Sequence, residues 1–314
     1  MQNILLSPDE IPAVPSGHCG MIALVGSANA GKSTLINQIL GEKVSIVSPV
    51  AQTTRNMIRG ILTESRGQLV FLDTPGLHQA HDELGKLMNK TARQAVEGVD
   101  LIMLVVDTAR PPRLEDKGWI RRLLFCDQPV FVVLNKMDKG SSHAEQYRTC
   151  WQNAGAEKGS EKIAYWHQVS ALTGEGIPEL SDILFEHIPA GPLLFPPDIL
   201  TDFPRKWNFA DIIREQLFHV LRQELPYAVA VGIDHITETD NASWAVEGKI
   251  YVNRHSQKGI VIGHKGRQLR KITRRSESEL AKMYEHPVHL KLWVKVEKNW
   301  AKNYFLMRQL GYRE

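Results

Sequence analysis

From residue 21 onward, short apolar runs alternate with longer stretches whose apolar positions recur every three or four residues. This is the pattern of a layered α/β domain, strands and helices taking turns along the chain. The runs predict strands at residues 21–25, 68–72, 101–107, 130–134 and 163–169, and the helical period predicts helices at 32–40, 82–96, 114–125 and 177–187. Runs such as LIMLVV at 101–106 are continuous rather than alternating, as strands buried on both faces require. At about a third of the length needed to span a bilayer, they are not membrane segments.

Two stretches break this rhythm. Residues 1–18 carry Pro8, Pro12 and Pro15 without periodicity and are expected to be a loose leader. Residues 191–206 carry Pro192, Pro196, Pro197 and Pro204, which stop helix propagation and stiffen a linker between a domain at 19–190 and another at 207–314. The second domain predicts a helix at 209–221, strands at 228–236 and 243–252 around the turn residues Asp240 and Asn241, a glycine-interrupted helical stretch at 256–284, a strand at 288–296 and a short last helix.

Composition excludes several classes. With 314 residues, 43% of them hydrophobic and 23% charged, the chain is neither a disordered nor a collagen-like nor a multispanning membrane protein. Cys19, Cys126 and Cys150 form no C-x-x-C pair, which points to reduced thiols rather than a disulfide framework or a zinc site. No Lys or Arg precedes Lys32, so the basic start of a signal peptide is missing and a cytoplasmic protein is expected. The net charge of +3 hides an asymmetry: residues 201–314 hold 20 of the 38 Lys and Arg but 13 of the 35 Asp and Glu, a local excess of seven positive charges. That excess points to nucleic acid or a membrane surface as partner.

The candidate chemistry begins where the first strand ends. GSANAGKS, Gly26-Ser27-Ala28-Asn29-Ala30-Gly31-Lys32-Ser33, followed by Thr34, matches the phosphate-binding pattern G-x-x-x-x-G-K-[ST] between a strand and a helix. Its glycines let successive N–H groups turn inward at a helix N-terminus; Lys32 is placed to reach the β and γ phosphates and Ser33 to hold Mg²⁺. DTPGL, Asp73-Thr74-Pro75-Gly76-Leu77, follows a second strand and sets Asp73 against the Mg²⁺ shell with the Gly76 N–H facing the γ-phosphate. NKMD follows a third, and its Asp138, with Asn135 and Lys136, offers a carboxylate to the two N–H donors of guanine that adenine lacks. Ser170-Ala171-Leu172 then offers a backbone N–H to guanine O6. A metabolic P-loop kinase has no use for the last two motifs.

Together these motifs resemble the Ras-like P-loop GTPases. The resemblance implies that Thr54, in the polar segment VSIVSPVAQTTRNMIRG at 44–60, is the switch ligand of Mg²⁺, with Thr53 less favoured. Leu77 stands where Ras has its water-orienting glutamine, so hydrolysis is expected to use backbone, ions or a partner, and with no arginine finger assignable in cis intrinsic turnover is expected to be slow. Asn29 matches the asparagine with which a related group holds K⁺ beside the phosphates, which implies K⁺-stimulated turnover with Lys32, Thr54, Gly76 and Asn29 as the catalytic set. His78 and His81 read as residues of a solvated switch helix.

In the basic stretch, Arg254 to Arg275 includes eight Lys or Arg residues and no acid. Gly263-His264-Lys265-Gly266 within it matches the GXXG loop that clamps about four single-stranded nucleotides in KH domains. Lys258, Lys265, Arg267 and Arg270 would neutralise phosphates there, beside His264 and above an apolar floor of Ile260 and Ile262. The three glycines at 259, 263 and 266 break up any long membrane-binding face.

A Ras-like domain, a proline-rich linker and one KH domain of the bacterial type resemble the bacterial Era GTPase family. AQTTR, DTPGLH, FPPDILTD, ELPYAV and LWVKVEKNW carry the resemblance from about Met21 to the end of the chain. The departures are Ala28 for the usual proline and Ala30 for the usual valine. The resemblance implies a GTP- and Mg²⁺-dependent switch that binds the 3′ end of small-subunit ribosomal RNA and acts in assembly of the small ribosomal subunit, with peripheral contact to the inner membrane surface at its cytoplasmic face. The alternative is a GTPase whose basic domain docks on a membrane or a protein instead of RNA.

Overall fold

The computed structural model describes residues 17–50, 52–80, 82–221, 225–239 and 242–312. The rest of the expected leader, His81 and the Asp240–Asn241 turn lie outside these residues.

The first domain is built on a sheet of β1 (Gly17–Val25), β2 (Ile58–Glu64), β3 (Gly67–Asp73), β4 (Leu101–Asp107), β5 (Val130–Asn135) and β6 (Ala164–Gln168), ordered β2-β3-β1-β4-β5-β6. β2 runs antiparallel to β3, and the pairs from β3 through β6 are parallel. The period of two along each strand sends alternate side chains to opposite faces. On β1, Ala23 and Val25 face one core with Trp119, Ile120 and Tyr147, while Ile22 and Leu24 face the other with Leu35, Ile36 and Leu184. The first layer consists of α2 (Glu83–Gln94), α3 (Leu114–Leu123) and α4 (Ala144–Lys158); the second of α1 (Lys32–Leu40) and α5 (Ile177–His187). Each fully buried Ile or Leu contributes about 1.5–3 kcal/mol, so the two apolar faces, not local propensity, hold the strands in place.

Several boundaries differ from the sequence reading. Gly17 and His18, expected in the leader, are the first residues of β1, where they pair with Gly191 and Ala190 of the two-residue β7 (Ala190–Gly191). β2 and α4 were not expected. Arg205 and Lys206, expected in the linker, begin α6 (Arg205–Val220), with Pro204 as its N-cap. The linker itself lies on the first domain: Gln68 Oε1 accepts the N–H groups of Leu194 and Phe195 at 2.9 Å each, and the Ile61 N–H donates to Leu200 O at 2.8 Å.

The second domain carries a three-stranded sheet ordered β10-β9-β8, from β8 (Val229–Glu238), β9 (Trp244–Val252) and β10 (Val288–Val296). β8 is antiparallel and β10 parallel to β9. α6 and α8 (Arg267–Tyr284) share its core through Phe209, Ile213, Ile272 and Leu280. α7 (His255–Ile262) precedes α8, and α9 (Tyr304–Gln309) ends the described chain. Among the described residues no helix is long and apolar enough to cross a membrane.

Two segments of the first domain are buried against the second. Ile46, from the loop between α1 and β2, joins the core around Phe209 and Ile213. Leu84 and Met88 of α2 pack with Tyr251, Trp300 and Leu306.

Candidate functional site

The loops at the carboxyl ends of β1, β3, β5 and β6 converge, as the crevice rule for parallel sheets requires. They border a cavity of about 330 Å³ lined by Asn29, Lys32, Thr34, Thr53, Gly76 and Lys136 among others. The 26–33 loop wraps the N-terminus of α1, whose N-cap is Gly31 in the left-handed region. Lys32 is buried, and its ammonium donates to Gly26 O at 3.2 Å and Ser27 O at 3.1 Å. Burial pushes that ammonium down to about 8, against the pull of Asp73 and Asp116, while Arg110 adds to the fall.

Asp73, at the end of β3, is fully buried, and burial pushes its carboxyl up despite Lys32 and the hydroxyls around it. Its Oδ2 accepts from Ser33 Oγ at 2.7 Å and Ser45 Oγ at 2.6 Å, while Oδ1 has no hydrogen-bond partner. The Ser33 and Thr54 hydroxyls stand 2.8 Å apart. An orphaned buried carboxylate oxygen beside two hydroxyls is a hard, all-oxygen donor set, which fits Mg²⁺. The Thr53 hydroxyl is engaged elsewhere: it donates to Val50 O at 2.6 Å.

Gly76 passes so close to the phosphate loop that a Cβ there would stand 2.6 Å from the Ala28 N and Cα. Leu77 is partly buried and packs against the core that holds Ala23 and Val25. Thr74 contributes no side chain to the site; its buried hydroxyl donates to Leu24 O at 2.7 Å. The Ala30 methyl likewise sits in the core with Leu35 and Ile36. His78 is not on a helix as the sequence implied: it lies between β3 and α2, its N–H and carbonyl both taken by the Asn89 amide.

Asn135 is a brace. It is buried, its Nδ2 donates to Ala30 O at 2.9 Å, and its Oδ1 accepts the N–H groups of Lys136 and Ala171. Of the three N–H groups expected to offer a contact to guanine, that of Ala171 donates to Asn135 Oδ1 and that of Ser170 to Glu175 O. Asp138 is exposed and accepts from Ser170 Oγ. Lys136 Nζ bridges Asn29 O and Asp107 Oδ2, both at 2.7 Å. Asn29 Nδ2 donates to Pro49 O at 3.0 Å, joining the phosphate loop to the 44–60 segment.

Arg110 was missed by the sequence reading. It follows β4, reaches Ser27 Oγ at 3.2 Å and Ala28 O at 3.3 Å, and is held by Asp107 at 3.3 Å. Its position three residues past the end of a central parallel strand was the available signal.

In the second domain, Gly263, His264, Lys265 and Gly266 join α7 to α8, with Gly263, Lys265 and Gly266 all at positive φ. Ile260 is exposed, Ile262 is half-buried against the core, and the residue between them, Val261, is the buried one. Ile272, Ser276 and Leu280 turn one face of α8 into the core, while Arg267, Arg270, Lys271, Arg274 and Arg275 are exposed on the other. None of these five forms an ion pair among the described residues, nor do Lys258 and Lys265.

The chain matches two family models, one of 50S ribosome-binding GTPases over residues 21–136 and one of KH domains over 224–301. It is 40% identical to the GTPase Era of Crocosphaera subtropica, covering 96% of this chain and 95% of that protein, and 41% identical to that of Geobacter sp., covering 93% and 97%. Two solved structures are similar at 35% identity, each covering 95% of this chain and 100% of the other. One is an Aquifex aeolicus Era variant bound to GDP and AlF4⁻, with a TM-score of 0.87; the other is Era with MgGDPNP and nucleotides 1506–1542 of 16S ribosomal RNA, with a TM-score of 0.88.

Proposed function

The chain belongs to the Era family of GTPases, and on that premise we propose that this GTPase is a nucleotide switch that binds the 3′ end of small-subunit ribosomal RNA through its KH domain and acts in assembly of the small subunit. The observation that carries the reading is the row of unpaired cations beside the GXXG loop. Elsewhere many Lys and Arg are ion-paired, as in Lys43–Glu215 and Lys249–Asp234, whereas exposed Lys265, Arg267 and Arg270 and half-buried Lys258 have no ion-pair partner among the described residues. Such a row has a polyanion as its complement. The apolar stripe of α8 is buried in the domain core, so this helix has no free face with which to enter a bilayer.

In the nucleotide site, Lys32 and the loop N–H groups bind phosphate, Asp138 reads guanine, and Ser33, Thr54 and Asp73 hold Mg²⁺, which when bound offsets charge on the phosphate oxygens. Asn29 and the Pro49 carbonyl, already in contact, supply oxygens for K⁺ beside the phosphates, in place of the side chain that Leu77 lacks. The γ-phosphate orders Thr54 and Gly76, and both domains feel the change because the segment bearing Thr54 is buried between them. Linkage then requires GTP to raise RNA affinity by the same factor by which RNA raises GTP affinity. Binding of a labelled RNA with the 3′-terminal sequence, measured with GDP and with a non-hydrolysable GTP analogue, tests this; equal affinities would exclude the switch.

A further inference from the structure

The segment that bears Thr54 is gripped from the other domain by one face of one helix. Asp211, Arg214 and Glu215 of α6 occupy positions i, i+3 and i+4 and point the same way. Glu215 takes the Val47 N–H at 2.8 Å and the Lys43 ammonium at 2.7 Å. Arg214 Nη2 donates to Thr53 O at 2.9 Å, on the peptide that leads into Thr54. Arg214 is itself held by Asp211 Oδ1 at 2.8 Å and by the Tyr312 hydroxyl at 2.9 Å, to which Arg55 Nη1 also donates at 3.3 Å. All five groups, Thr53, Arg55, Asp211, Arg214 and Tyr312, are at least nine-tenths buried. A surface loop needs no such polar core, and a domain contact made only for adhesion would be better served by apolar side chains.

We propose that Arg214, backed by Tyr312, is a positioning residue for GTP hydrolysis supplied by the C-terminal domain: it fixes the Thr53 carbonyl and so keeps the Thr54 hydroxyl against that of Ser33, which in turn bonds Asp73. This rests on the reading of Thr54 as a Mg²⁺ ligand. Thr53 and Thr54 are consecutive, so an error in the first peptide is passed to the second hydroxyl within one residue. Arg55, on the far side of Thr54, is pinned to Val229 O at 2.9 Å, which fixes the segment at both ends. The guanidinium is required because it reaches the Thr53 carbonyl, the Asp211 carboxylate and the Tyr312 hydroxyl at once; an ammonium has neither the reach nor the fork.

The test uses the full-length protein and the variants Arg214→Lys, Tyr312→Phe and Thr54→Ala, with kcat, KM, and affinities for GDP and a non-hydrolysable GTP analogue in Mg²⁺. Arg214→Lys is expected to lower kcat about tenfold or more and to bring analogue affinity toward that of GDP, while GDP affinity stays within about twofold. Tyr312→Phe, which removes one oxygen and keeps the ring, is expected to move the same quantities less, and reads the contact should the lysine variant not fold. A loss of kcat with an equal loss of GDP affinity marks a merely structural contact and overturns the proposal. Unchanged kcat and unchanged analogue preference in the arginine and tyrosine variants overturn it too. Thr54→Ala separates the two readings: if it leaves the analogue preference intact, the Mg²⁺ role of Thr54 fails and the proposal with it; if it abolishes that preference and Arg214→Lys does not, only the positioning role falls.

Discussion

The Ser170 hydroxyl donates to Asp138 Oδ1 at 2.7 Å, joining two loops that are 32 residues apart in the chain. One carboxylate oxygen is thereby oriented before any base arrives, which lowers the ordering cost of recognition. The same arrangement explains why NKMD and SAL belong together: neither loop can place the carboxylate alone.

Replacing Asp138 by Asn puts an amide donor against the two N–H groups of guanine. GTP affinity is expected to fall on the order of a hundredfold or more, while xanthosine triphosphate, with a carbonyl at that edge, binds better than GTP. Competition between the two nucleotides measures this directly. Ser170→Ala should weaken GTP binding less, by about tenfold, without reversing the preference.

The double variant Gly263→Asp and Lys265→Asp is expected to lose RNA binding and keep GTP hydrolysis in the absence of RNA. Gly263 sits at a φ of +70 with Gln268 against its missing side chain, so a substituent both strains the turn and brings negative charge to the phosphate path. The wild-type protein should show RNA affinity that falls steeply with salt, and Lys265→Ala alone should reduce that slope by about one. A flat salt dependence in the wild type would count against a phosphate-contacting loop.

If Asn29 and Pro49 O hold a monovalent cation, turnover in KCl should exceed that in matched NaCl severalfold, and Asn29→Ala should remove the difference. The expected loss is confined to kcat, since Asn29 is exposed and its removal leaves the buried brace at Asn135 intact. Equal rates in the two salts would leave Leu77 without a substitute and direct attention to a partner protein.

Lys32 gives a pH signature with a definite sign. Its native value is about 8, below the ordinary 10.5, so between those two pH values the unfolded chain holds a proton that the native state has lost. Stability of the nucleotide-free protein should therefore rise with pH across that window. Phosphate beside the ammonium reverses the shift, so binding GDP takes up close to one proton at pH 9 and almost none at pH 7. Calorimetry in two buffers of different ionisation enthalpy reads the uptake. Lys32→Arg should abolish it, because a guanidinium stays charged throughout.

The elements carrying the nucleotide motifs were legible because each motif follows a strongly apolar strand and local rules apply. The helix at Lys32–Leu40, the strand at Leu101–Asp107 and the helix at Ile177–His187 stand where the periodicity put them. α4 escaped because its buried positions include Ala144, Ala154 and Gly155, which carry little hydrophobic signal. β2 escaped because it begins inside a polar segment and lies at the edge of the sheet, beside β3.

By itself the sequence determined most of the strands and helices, the phosphate-loop motif, the candidate carboxylate for guanine and the GXXG turn, since each depends on residues within a few positions of one another. Only the tertiary structure decided which groups are used up and which are available. It alone shows Asn135 and Thr74 turned into braces, Arg110 brought to the phosphate loop, and Thr53 held by Arg214 across 161 residues of chain. Contacts of that kind leave no periodic trace in the sequence, because they arise when two domains bury polar groups against each other and each group must find its partner wherever the fold has put it.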